Sequence, residues 1–339
     1  MTPFKLLSSS RFVQTGDLHT GESRNIPDYL PRHRGVYEQI VEHTVKRGVP
    51  LVITGDMFHS KIIRHEERWL VDWLIGTLER LGVPTIIIAG NHDHLYGETT
   101  LIDGYLHFPF QHVKIFGWEP GVHFIGDTGF ICISWRGYTS AQLDDIVKHW
   151  YPHIAHCKYK VVVAHECILG ARLDSGFLME RGTKLPQNTD ITYWAVGDIH
   201  SHQAANLKNS YYAGAPAQFR FDDTLPKGVI VVDLDHPSRK PEFQPLIFKP
   251  LRQVRSVSEI TDDAYYKVVG EFEDVLQANQ HEMVVKSEMV KASISPIEYR
   301  NVGLADGLPE FLATKGIDEI RQKFAVKWID KVLSPAGVL

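Results

Sequence analysis

Short apolar runs and helix-like stripes alternate through the first two thirds of the chain. Residues 12–15, 51–54, 85–89, 130–135, 160–164, 193–196 and 229–234 read as strands, being short, apolar and largely rich in β-branched and aromatic side chains. Between the early runs lie stripes at helical spacing. One carries Val36, Ile40, Val41 and Val45 within residues 34–47. The other carries Trp69, Leu70, Trp73, Leu74, Leu78 and Leu81 within residues 66–81. Strand, helix, strand at this cadence predicts an α/β layered architecture. Runs such as 85–89 are apolar without alternation. Such strands are covered on both faces, by helices on each side or by a second sheet inside flanking helices.

The pattern breaks near residues 239–250, where Pro241 and Pro245 frame a stretch of little periodicity. Beyond it, residues 265–272 and 283–289 read as strands around an acidic, polar helix or turn. Three parts are therefore expected: a main domain over 1–240, a small α+β domain over 250–308, and a helical tail over 309–339. In the tail Ile317, Ile320, Phe324, Trp328 and Val332 form one stripe, which docks either on its own chain or on a partner.

Composition narrows the class. At 339 residues the chain exceeds one compact unit, and 43% hydrophobic with 23% charged residues is ordinary for a soluble protein. It has no apolar run of about 18 residues, so no membrane role is expected. The first residues carry no apolar signal core, which argues against secretion. Cys132, Cys157 and Cys167 have no metal-finger spacing, and Cys132 reads as a small buried side chain; the set fits a reducing, cytoplasmic compartment. A net charge of -5 does not announce a nucleic-acid protein. Acidic metal ligands count toward that total, so any nucleic-acid contact must be local or shared.

The candidate chemistry sits at the ends of the apolar runs. Asp17-Leu18-His19, Gly55-Asp56, Gly90-Asn91-His92-Asp93, His165 and Asp198-Ile199-His200 each follow one. On an extended segment Asp17 and His19 point the same way, and Asp198 with His200 repeats that spacing. Asp56 can bridge two cations with its two oxygens, and Asn91 offers a neutral carbonyl oxygen. His92 is better employed on a substrate phosphate or leaving oxygen than as a ligand. Asp93 is expected to orient His92 or to cap the next turn. Carboxylate, carbonyl and imidazole donors together suit Mn, Fe or Zn better than Ca. Two such ions would clamp a phosphate for in-line attack by water.

These motifs resemble the calcineurin-like metallophosphoesterase superfamily, whose signature runs Asp-x-His, Gly-Asp, Gly-Asn-His-Asp/Glu, His and Gly-His-x-His. Within it, Asp17-Leu18-His19-Thr20-Gly21, Gly55-Asp56-Met57-Phe58-His59 and Tyr212-Ala213-Gly214-Ala215-Pro216 are similar to the DNA-repair nuclease branch of Mre11, SbcD and the phage recombination nuclease subunits. The resemblance covers roughly residues 11–235. It implies a four-layer β-sandwich flanked by helices, with a small capping domain and a helical tail. It further implies two divalent ions, Mn foremost and Mg, Fe or Zn as alternatives. Asp17, His19, Asp56 and His200 would hold the first, and Asp56, Asn91, His165 and Asp198 the second. His92 would serve as general acid or transition-state stabiliser, and His59 would help position the DNA end beside the scissile phosphate or, on a milder reading, only support the residues that touch it.

The implied activity is 3'-5' exonuclease action on duplex ends and endonuclease action on single strands. A Rad50- or SbcC-like ATPase partner and a homodimer are implied as well. Rival readings are a phosphoesterase for nucleotides or other small phosphodiesters, and a scaffold subunit with a degenerate site. Candidate DNA contacts are Lys61, Arg64 and Arg68, or Arg172, Arg181 and Lys184. Lys61, Arg64 and Arg68 equally read as a solvated helix face interspersed with Glu66 and Glu67. One departure stands out: Asp198 occupies the place of a family His. It ligates in that His's stead, or the pair slips to His200 and His202, or the second ion is weak or missing.

Overall fold

In a computed structural model, residues 4–289 are described, except 174, 188, 189, 271, 279, 280 and 282. The strand runs recur because each feeds two cores at once. The first sheet holds β1 (Arg11–Thr15), β2 (Leu51–Ile53), β3 (Thr85–Ile88) and β4 (Val113–Phe116), all parallel. The second holds β5 (Gly121–Ile125), β6 (Thr128–Ile133), β7 (Tyr159–His165), β8 (Tyr193–Gly197), β9 (Gln203–Ala204) and β10 (Ser210–Tyr212). The chain then returns to the first sheet through β11 (Gly228–Asp233) and β12 (Glu242–Pro245), giving the order β12-β11-β1-β2-β3-β4. The second sheet runs β5-β6-β7-β8-β10-β9.

Phe12, Val52, Ile86, Ile88, Phe130, Val161, Val163 and Ile230 point into the core between the two sheets. Their alternates on the first sheet, including Val13, Leu51, Ile53 and Val231, pack against α1 (Tyr29–Arg47) and α2 (His65–Leu81). On the second sheet Ile131, Val162 and Val196 meet Leu143, Val147 and Ile154 of α3 (Ser140–Ile154). The layers are helix, sheet, sheet, helix. Gln14 is the polar link inside the sandwich: its amide donates to Val196 O and Tyr211 O and accepts from Tyr193 Oη at 3.0 Å.

The stretch expected to lack periodicity contains β12, an edge strand beside β11, where Pro245 is tolerated. Trp69 is expected in the α2 stripe, yet it is 59% exposed; Val71 and Ile75 take up core positions there. A third, parallel sheet joins β13 (Leu251–Val254), β14 (Tyr265–Gly270) and β15 (Val284–Met289), with α4 (Phe272–Ala278) between the last two. Thus β14 ends at Gly270, not at residue 272. Leu251 and Tyr265 of this sheet pack on Ile26 and Tyr29, just after the first metal motif, and Tyr265 Oη donates to Asp28 at 2.6 Å. All described residues belong to one compact unit, Met1–Met289. Residues 290–308 and the tail stripe lie outside the described residues. No helix among the described residues is long and apolar enough to cross a membrane.

Candidate metal centre

The segments that follow β1 and β2 stay zipped together past the ends of the strands. Asp17 N donates to Gly55 O, His19 N to Asp56 O, Thr20 N to Met57 O and His59 N to Thr20 O, each within 2.9–3.0 Å. This pairing brings the first two motifs into contact. It does so without extended backbone: Asp17, His19, Asp56 and Asp198 have φ of 51°, 43°, 54° and 104°. The expected route by which Asp17 and His19 converge, alternation on a strand, is therefore replaced by left-handed turns. Such conformations cost about 1–3 kcal/mol each in non-glycine residues and gather at functional sites. Gly55 and Gly197 allow the close approach of the second sheet. A Cβ on Gly55 would lie 2.3 Å from His165 Nδ1, and one on Gly197 would lie 2.2 Å from Thr54 O.

The ligand candidates meet across the seam between the sheets. His19 Nε2 lies 3.0 Å from His200 Nε2 and 3.4 Å from Asp56 Oδ2. His165 Nε2 lies 3.0 Å from Asn91 Oδ1, 3.6 Å from Asp56 Oδ2 and 3.7 Å from Asp198 Oδ1. His165 Nδ1 sits 2.7 Å from Thr54 O, and donating to that carbonyl leaves Nε2 as the ligand nitrogen. Asp17, His19 and His200 form one group whose ligand atoms all lie within 4.8 Å of each other, and Asp17, Asp56 and His165 form another. Asp17 is common to both groups, and Asp56 Oδ2 lies between His19 and His165.

The electrostatics call for cations. Burial pushes the Asp17 carboxyl up to about 8 and raises Asp56 well above the carboxylate range, with Asp93 adding to the latter. Burial also depresses His19, helped by His200, and brings His200 down to about 3, helped by Lys227. Asp17 Oδ2 is buried with no hydrogen-bond partner. A buried carboxylate oxygen left unpaired is costly, and a bound cation removes that cost. The donor set fits divalent metal ions: Asp17, His19, Asp56, Asn91, His165, Asp198 and His200 are candidate ligands, and His19, His59 and His92 form a third group close enough to hold an ion.

Other groups frame this cluster. His92 N donates to Asp56 Oδ1 at 2.9 Å, and His92 Nδ1 lies 2.6 Å from His59 O. The His92 ring stands 4.6 Å from that of His19 and stacks on His59 at 5.3 Å. Asp93 does not orient His92. It accepts from Met57 N, Phe58 N and Gly90 N, tying the second motif to the third. Asp198 N donates to Asp17 Oδ1 at 3.1 Å, whereas His202 turns aside, with Nδ1 3.0 Å from Tyr212 O and its ring stacked on Phe243.

Sequence reasoning missed four neighbours. Glu22 Oε2 meets His59 Nε2 at 2.5 Å. Glu166 is buried beside His165, and burial lifts its carboxyl to about 7. The buried pair Lys227–Asp223, at 2.8 Å, fixes the His200 carbonyl through Lys227 Nζ. Glu22 and Lys227 had no sequence signal, because each acts through a contact distant along the chain. Of the basic candidates, Lys61 and Arg64 are exposed after His59, while the Arg68 guanidinium donates to Leu101 O and covers Phe58. Glu67 is buried, not solvated: Arg24 grips both its oxygens at 2.6 Å. Arg172, Arg181 and Lys184 are exposed on the segment following His165.

This four-layer fold, with polar residues from both sheets meeting at the strand ends, defines a metallophosphoesterase. Residues 10–202 match the calcineurin-like phosphoesterase family, and the chain belongs to it. The SbcD component of the nuclease SbcCD from Staphylococcus epidermidis is 24% identical over 296 residues, 79% of this chain and 74% of that protein. Uncharacterized metallophosphoesterase YhaO of Bacillus subtilis is 22% identical over 70% of this chain and 61% of its own length. Uncharacterized protein R555 of Acanthamoeba polyphaga mimivirus is 24% identical over 62% of this chain, but only 16% of that protein is covered. Among solved structures, TT1561 of Thermus thermophilus covers 71% of this chain at 12% identity, with a TM-score of 0.46.

Proposed function

We propose that this protein is a metal-dependent DNA nuclease that hydrolyses phosphodiesters in DNA repair or recombination. The observation that carries this reading beyond phosphoester hydrolysis is the extent of the resemblance to the SbcD component of SbcCD. Its 296 aligned residues exceed the span 10–202 that matches the family, so the likeness includes chain outside the shared catalytic domain. On this reading Asp17, His19, Asp56 and His200 hold one divalent ion and Asp56, Asn91, His165 and Asp198 the other, with Mn the expected metal. Ions bound there supply Lewis acidity and lower the pKa of a bound water.

The chain's own side chains do the rest. With Nδ1 donating to His59 O, His92 offers Nε2 toward the phosphate. Neutral, that nitrogen is an acceptor; as an imidazolium it donates to the developing charge or the leaving 3' oxygen. His59, steadied by Glu22, positions the end of the strand. Asp198 ligates where relatives of the superfamily carry His. The action is 3'-5' on duplex ends and endonucleolytic on single strands. Residues 250–308 act as a capping domain, and residues 309–339 carry the contact to a Rad50- or SbcC-like ATPase. The working form is an intracellular homodimer.

The test is Mn-dependent cleavage of an end-labelled linear duplex, beside a p-nitrophenyl phosphodiester and nucleotide controls. Duplex degradation should be lost in Asp198→Ala. It should fall by about 10²–10⁴-fold in His92→Ala with metal content unchanged. Turnover of the small substrates alone would replace the nuclease by a small-molecule phosphoesterase. DNA binding without any turnover would leave a scaffold protein.

A further inference from the structure

The segment that leaves β7 directly after His165 builds an arm of its own. Its base is in the core, through Ile168, Ala171 and Leu185. Backbone bonds Leu169 N to Thr183 O, Gly170 N to Met179 O and Met179 N to Ala171 O bring its two limbs together, and Leu173 N to Phe177 O closes the tip. Gly176 takes φ of 81° at the turn. The arm is also tied to the other end of the metal cluster. Arg172 N donates to Gln203 Oε1 at 2.9 Å, and Arg172 O accepts from Gln203 Nε2 at 2.7 Å and from Ser201 Oγ at 3.2 Å. Ser201 follows His200. The arm thus springs from one candidate ligand and is braced beside another.

Its tip is apolar and uncovered. Phe177 is 59% exposed, and Leu173 and Leu178 are exposed as well. A cluster of large apolar side chains left in water and rimmed by charge marks a binding surface. The rim carries three exposed cations, Arg172, Arg181 and Lys184, against one exposed acid among the described residues of the arm, Glu180. An aromatic face among cations, next to a phosphodiester site, matches the chemistry of a single polynucleotide strand, which has stacking bases on an anionic backbone. Resting on the nuclease reading above, we propose that this arm is a stacking platform. Phe177, with Leu173 and Leu178, receives unpaired nucleobases flanking the phosphate at the metal cluster, while Arg172, Arg181 and Lys184 follow the backbone. The arm would then favour strands and frayed ends over mononucleotides.

The test compares wild type, Phe177→Ala and Phe177→Trp on two single-stranded oligonucleotides of equal length. One carries all its bases; the other is abasic on both sides of a single cleavable position. Wild type should cleave the base-bearing strand more efficiently, and Phe177→Ala should reduce kcat/KM on it by about 5- to 150-fold. Phe177→Trp should restore most of the loss, and on the abasic strand the three proteins should agree. Equal loss on both strands would assign Phe177 a structural role and overturn the proposal. So would undiminished cleavage by Phe177→Ala, including a case where that variant changes only self-association by sedimentation. Wild type that hydrolyses a small phosphodiester but neither strand would remove the nuclease reading itself.

Discussion

Single side chains in this protein carry large electrostatic loads away from the metal cluster as well as in it. His33 is buried in α1, its Nε2 3.3 Å from Glu22 O, and burial with Arg32 beside it depresses its pKa to about 4. The unfolded chain takes up that proton below about pH 6.5, the fold only near 4. This residue's contribution to stability is therefore full above pH 6.5 and falls away as the pH drops toward 4, a loss of about 3 kcal/mol. Urea unfolding at pH 6.5 and 4.5 should show a steeper loss for wild type than for His33→Gln; parallel losses would refute the assignment. Glu67 offers a second residue-scale test. Removing its carboxylate leaves Arg24 without its partner, so Glu67→Ala should destabilise the protein by about 3 kcal/mol, read from the urea midpoint. Neither residue stood out in the sequence. A lone histidine or glutamate on a helix looks like surface until the fold covers it.

At the scale of elements, legibility followed hydrophobic content. β1, β2, β3, β6, β7, β8 and β11 were readable because strands buried on both faces are largely apolar. β4, β5, β9, β10, β12 and β13 were not, being short, near an edge or half polar. α3 was legible but passed over: Leu143, Ile146, Val147, Trp150, Tyr151 and Ile154 recur at helical spacing and pack on the second sheet. The candidate ligands could be picked out along the chain because Gly-Asp and Gly-Asn-His-Asp at run ends are unusual pairings. What the sequence left hidden was the left-handed backbone that aims those side chains. Gly55→Ala tests this geometry. The new methyl would press on His165 and force a φ of 105° on alanine. Metal affinity by titration calorimetry should weaken about 10- to 100-fold in a protein that still folds. Unchanged affinity would mean that the approach of the two strand ends is not needed.

For the molecule as a whole, the decisive feature is that the candidate ligands are divided between the sheets. Asp17, His19, Asp56 and Asn91 follow strands of the first, and His165, Asp198 and His200 end or follow strands of the second. Deep in the sandwich Gln14 ties the same two layers, but toward the strand ends the cluster does so. Chelation should therefore lower the melting temperature and speed amide exchange at the strand ends of both sheets together. An effect confined to one sheet would contradict a shared clasp. The converse is less obvious. If metal ions are the rivet between two plates, then their affinity is a gauge of how well the plates align. A packing change such as Phe130→Leu, on the inner face of the second sheet and touching no ligand, should register as weaker metal binding before it registers as unfolding.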